Sequence, residues 1–287
     1  MSNLNVKELL DQLSNDEIKS KLENAIKKKQ KIVIKFDEVS LDDLEKYFSI
    51  ERVFGNKAVF SKWFLSSNNS LIISEKEKEF LEQLLKDEEE FLEIYNEEDL
   101  KVKFVTPILN KVRFRNIDKK VRDFYNEELK FENDKFILTG QCDFFVANGL
   151  MYPKNPYFFI QKFMKKNSIN PLPSLLIEML TALFINRSHN GNNKMIKGAF
   201  IVGSIWNFVI LQETEENQFK YYISNNFDAT KIEDLQAIYK NLKSIKKEVI
   251  ERINIKNPEI QIQQQEKKEQ LENMLETLKN KESNNKK

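Results

Sequence analysis

The chain has 287 residues, 40% of them hydrophobic and 32% charged, and a formal net charge of +1. That is enough to bury a substantial core, while the near-zero charge argues against a protein that grips nucleic acid over its whole surface by counterion release. One cysteine, Cys142, and one histidine, His189, exclude an intrachain disulfide and the usual zinc site of four nitrogen and sulfur ligands. A resident metal would have to be an oxygen-loving ion such as Mg2+.

In chain order, residues 3–29 read as a helix, and residues 31–36 (KIVIKF) alternate charged and apolar side chains as a half-buried strand does. Ser40 ahead of Leu41, Asp42, Asp43 and Leu44 has the form of an N-capped short helix. Short strands are predicted at 57–65 and 70–73. A highly charged helix follows over 75–95, with Leu81, Leu85, Leu92 and their apolar neighbours mostly on one face. Residues 1–95 are therefore expected to form a separate α+β unit.

Asn96 then caps a second helix, with Glu97, Glu98 and Asp99 in the first turn, where carboxylates interact well with the helix dipole. Pro107 must kink or restart that helix. Strands are predicted at 121–132, 135–148 and 156–164, a helix at about 172–186, and further strands at 198–203, 205–212 and 220–225. A long helix over about 231–253 carries Leu235, Ile238, Leu242, Ile245 and Val249 as one apolar seam, read as packing over the sheet, with a homodimer interface as the alternative. The whole order predicts an α/β core around a mixed sheet flanked by helices, spanning residues 96–256.

Residues 257–287 turn to Gln, Glu, Lys and Asn and are expected as a helical or disordered polar tail. The lysine run at 27–31 and the lysines of the tail read as solvated. The longest nearly apolar run, residues 198–211, is broken by Ser204 and Asn207 and is too short to cross a bilayer. The start, MSNLNVKELL, lacks the order of a signal peptide. These features predict a cytoplasmic protein with no membrane partner.

Two neighbouring strands carry the chemistry. In GQCDFFVANG (140–149), Asp143 interrupts an apolar run, a place where Asp is disfavoured. FFIQKFMKK (158–166) brings Lys162 and Lys165 close behind. Glu178 lies amid the apolar residues of SLLIEML, where an unpaired carboxylate is costly. It can cap, pair with Lys162 or face solvent, and periodicity does not decide which. Glu98 has a plain reading as a helix-dipole partner. His189, in NRSHNGNN, reads as a surface residue in a turn, and Trp206 as core.

A helix with an acid, a strand with Asp, a strand with charge and a helix with a further acid come in an order that resembles the PD-(D/E)xK nuclease superfamily. The likeness runs through NEEDLKVKFVTPIL, GQCDFFVANG, PYFFIQKF, SLLIEML and GSIWNFVIL, residues 96–212, and is closest to a bacterial branch of uncharacterised role. It implies a restriction-endonuclease-like core with an N-terminal α+β extension and a C-terminal helical tail. It also implies Mg2+-dependent hydrolysis of DNA, in which carboxylate-held ions activate water and a lysine assists. By that resemblance Asp143 would be the central metal ligand and Glu98 the supporting acid.

The chain departs from the pattern on the strand after Asp143. The resemblance calls there for an acid and a lysine two residues apart, facing the same way; Lys162 and Met164 stand in those places. A cation where a metal ligand belongs repels a divalent ion. The leading expectation is a degenerate site in a module that binds DNA or a protein partner without cleaving it, with Lys162 neutralising Asp143 in a salt bridge. The alternative is an active Mg2+ nuclease with Glu178 as a relocated acid, giving Glu98, Asp143, Glu178 and Lys162 as a rebuilt site. An interaction protein of unrelated fold is a third reading, and nothing in the residues separates DNA from RNA.

Overall fold

A computed structural model describes residues 31–55, 59–60, 71–164, 170–188 and 194–256. The expected helix over 3–29, the lysine run up to Lys29, most of the strand expected at 57–65, Lys165, His189 and the tail from 257 lie outside the described residues.

The chain begins with β1 (Ile32–Lys35), α1 (Leu41–Tyr47) and β2 (Ser49–Arg52). Ser40 caps α1 as expected: its hydroxyl accepts the Asp43 N–H, and the Asp43 carboxylate in turn accepts the Ser40 N–H. After α2 (Glu75–Glu88) come a short α3 (Glu97–Asp99), a π-helical stretch (Leu100–Val105) and α4 (Thr106–Val112). Pro107 sits in the first turn of α4, where its missing N–H costs nothing, so the helix restarts there.

The remainder is β3 (Val121–Glu132), β4 (Phe136–Asn148), β5 (Lys154–Met164), α5 (Leu172–Ser188), β6 (Met195–Val202), β7 (Ile205–Glu215), β8 (Gln218–Ile223), β9 (Phe227–Asp228) and α6 (Ile232–Lys256). The fold is mixed α/β. The nine described strands form one mixed sheet in the order β1-β4-β5-β6-β7-β8-β2, with β3 added on β4 and β9 on β7. β1 pairs parallel with β4 and β2 parallel with β8, so residues 31–52 supply both ends of the strand path.

Three local expectations need correction. Val59 and Phe60, the described part of the strand expected at 57–65, are helical. Residues 71–74 form no strand; they lead into the capping box of α2, in which Glu77 accepts the Ser74 N–H at 2.8 Å. The helix expected over 75–95 ends at Glu88 and passes into turns. The acids Asp87 to Glu90 sit at its C-terminal end, where the dipole disfavours negative charge.

Helices cover both faces of the sheet. On one face, α5 is buried nearly all round, from Leu175 to Leu183, because it lies between the sheet and α1. On the other, α4 and the π-helical stretch pack beside α6, whose seam of Leu235, Ile238, Leu242, Ile245 and Val249 is buried within the chain. β5 and β6 are parallel neighbours, so the chain between them must cross back over the sheet, and α5 makes that crossing. Gly198 on β6 permits a close approach: a Cβ there would meet Met179 Sδ of α5 at 2.8 Å.

β4 changes neighbours along its length. Residues 136–139 pair with β1, whereas residues 144–148 pair with β5, so the strands diverge just before Phe144. β3 is irregular at the same level. Asn126 has φ 51, between the pairs Tyr125↔Phe144 and Glu127↔Cys142. In consequence Cys142 belongs to the α5-side core and Phe144 to the α4 side, although an undistorted strand would turn both the same way. Asp143 occupies that break.

Candidate functional site

The break frees Asp143 from the ladder and lets its side chain replace a backbone partner. Its Oδ2 accepts the Phe163 N–H of β5 at 2.9 Å, continuing the β4–β5 contact one step past the last pair, Phe144↔Gln161. The same oxygen lies 3.6 Å from the Lys162 ammonium. Lys162 also reaches Glu178 Oε1 of α5, at 3.2 Å. The crevice between diverging strands is thus filled by one ammonium facing two carboxyls.

Burial sets the charges. Glu178 is 0% exposed, and the side chains of Lys162 and Asp143 only 14% and 18%. Removal from water pushes the Glu178 carboxyl up to about 8, against the pull of Lys162 and with the push of Asp143. Neither oxygen of Glu178 receives a well-directed hydrogen bond among the described residues, so the loss of hydration is offset mainly by the ammonium, with a weak contribution from the Cys142 thiol. Burial also lowers Lys162, but Glu178 and Asp143 outweigh it, and the ammonium is held above its ordinary value. The Cys142 thiol, fully buried, is raised well above its ordinary value by burial and then by Glu178.

The arrangement therefore contains a charged lysine, the Asp143 carboxyl and a Glu178 carboxyl whose neutral form is favoured by burial. Lys162 holds its proton, and Cys142 is an inert thiol. The arrangement also fails to fit a divalent ion. Among the described residues, the ammonium stands between the two carboxyls that converge on it, and no group of three or more His, Cys, Asp or Glu side chains could hold a metal ion.

Of the four residues singled out by sequence, the structure brings Asp143, Lys162 and Glu178 together and leaves Glu98 aside. Glu98 is 70% exposed at the side chain and pairs with Lys101 at 3.7 Å. Lys101 was not legible beforehand. The wide π-helical turn carries it inward to 7% exposure, where its ammonium donates to Asn126 Oδ1 at 3.1 Å and lies 5.8 Å from the Phe163 ring centre. Gln161, next to Lys162 on β5, was missed too; it is 0% exposed and neither of its amide atoms has a hydrogen-bond partner. The side chain of Met164 lies outside the described residues.

A comparison of the chain with family models and with curated proteins found no match.

Proposed function

We propose that this chain is a nuclease-fold protein whose metal site has been taken over by a lysine, leaving a module that binds nucleic acid or a protein rather than cleaving a phosphodiester. The observation that carries the reading is the Lys162 ammonium between Asp143 and Glu178. The residues that resemble the PD-(D/E)xK core keep the strand aspartate but put a fixed cation beside it, and a fixed cation discharges the local field that would otherwise attract Mg2+. The burial of Glu178 supports the same reading, because it favours the neutral carboxyl, a poor ligand for a hard ion.

A plasmid-nicking assay with Mg2+ or Mn2+ tests this. The expected result is no cleavage above the background of an Asp143→Ala variant. Divalent-dependent nicking that disappears in Asp143→Ala would establish the second reading, an active Mg2+ endonuclease with Glu178 as relocated acid. The approach of Glu178 to the Asp143–Lys162 pair is what favours that alternative, and the surface position of Glu98 counts against it.

A further inference from the structure

Crossing a bilayer and lying on one are different demands. Among the described residues no helix is long and apolar enough to cross, yet one end of the sheet carries exposed apolar side chains within a basic collar. We propose that the surface formed by residues 115–122 and 148–154 docks on an anionic lipid bilayer, which would revise the expectation of no membrane partner and is independent of the reading of the Lys162 site.

The apolar part is unusually exposed. Ile117 is 77% exposed, Met151 76%, Tyr152 71% and Leu150 41%. These side chains sit on two loops that are fastened together. Val121 pairs with Asn148, the Gly149 N–H donates to the Lys120 carbonyl at 2.6 Å, and Arg122 Nη2 donates to the Met151 carbonyl at 3.3 Å. The exposure is therefore built into the hydrogen-bonded end of β3, β4 and β5.

The collar is cationic. Residues 111–122 contain six basic side chains and one acid in a chain whose net charge is +1, and five of the six, all but the buried Lys119, are at least partly exposed. Lys120 and Lys154 are exposed and make no ion pair among the described residues. Arg115, 58% exposed at the side chain, is held only loosely, by Asp123 at 3.7 Å and by Asn110 Oδ1, to which its Nη2 donates at 3.4 Å.

The mixture of side chains selects the partner. Ile117, Leu150 and Met151 gain nothing from a phosphodiester backbone, and Tyr152 alone makes no stacking platform for bases. At a bilayer, the aliphatic chains leave water at the headgroup boundary, the tyrosine takes its preferred interfacial level, and Lys120 and Lys154 meet anionic headgroups.

Flotation of the full chain with phosphatidylcholine vesicles, with and without about one third phosphatidylserine, tests the proposal. The expected result is recovery with the anionic vesicles only. Recovery should fall at least about tenfold in Lys120→Glu/Lys154→Glu and in Met151→Ser/Tyr152→Ser, and should weaken as salt is raised. Absence of flotation, equal recovery with neutral vesicles, or recovery unchanged in both variants would overturn it. Binding to a DNA duplex but not to vesicles would overturn it as well, and would assign the collar to nucleic acid.

Discussion

The Lys162 ammonium lies 3.2 Å from Oε1 of Glu178, a carboxyl with no exposed surface and no well-directed hydrogen bond. A pair of this kind is a poor source of net stability, because the cost of dehydrating both groups consumes most of the attraction. Breaking it is another matter, since the group left behind stays buried alone.

Replacing Lys162 with methionine should therefore destabilise the fold by about 3 kcal/mol or more, since the largely buried Asp143 carboxyl then loses its cation. Adding Glu178→Gln should recover much of that loss above about pH 8, where Glu178 would otherwise carry a charge, and little of it at acidic pH. Urea unfolding of the two single variants and the double variant measures the coupling. A Lys162→Met variant as stable as wild type would show that the ammonium does not hold the site.

Stability should depend on pH through Glu178. Its folded value of about 8 is above the ordinary 4.5, so between these limits the folded state binds the extra proton. The sign follows: this contribution is fully present at acidic pH and is lost as pH rises through about 8. Wild type should lose stability relative to Glu178→Gln across that window, by an amount on the order of a few kcal/mol. Parallel urea titrations at acidic and alkaline pH read the difference, and a constant gap would contradict the burial argument.

Asp143 has two separable tasks, accepting the Phe163 N–H and facing Lys162. Asp143→Asn can keep the hydrogen bond and loses the charge, whereas Asp143→Ala loses both. The alanine variant should be the less stable by about 1–2 kcal/mol. Equal stabilities would mean that the backbone contact contributes nothing at the point where β4 leaves β5.

Gly198→Ala should cost about 1–3 kcal/mol, since the new methyl would lie 2.8 Å from Met179 Sδ and 3.0 Å from the Ile160 carbonyl. The strain falls where α5 rests on the sheet, so it should also disturb Glu178, one residue from Met179. A thermal melt of the variant checks the first effect, and its pH dependence compared with wild type checks the second.

The long elements could be read in advance because their patterns are local. The alternation of KIVIKF, the apolar runs of β4 to β7 and the seam of α6 each cover enough residues to declare a period. β2 and β9 were not readable. Each is a short edge segment, Ser49–Arg52 and Phe227–Asp228, whose pairing depends on β8 and β7 far along the chain.

For the site, the sequence placed Asp143 and Lys162 on neighbouring strands and marked Glu178 as costly. It could not say that Glu178 turns toward Lys162, because α5 is apolar on every side and its burial shows no preferred face. Nor could it show Lys101 turned inward, since a helical pattern carries no sign of a π-helical turn. The break in alternation at Asp143 depends on Asn126 of β3 and is equally invisible locally.

The most direct test of the central claim, that a lysine occupies the place of a metal, is calorimetric titration of Mg2+ or Mn2+ into the pure protein. Wild type should show no binding isotherm, and Lys162→Glu/Met164→Lys, which restores an acid and a lysine two residues apart, should show one. Saturable divalent binding by wild type that Asp143→Ala abolishes would contradict the claim.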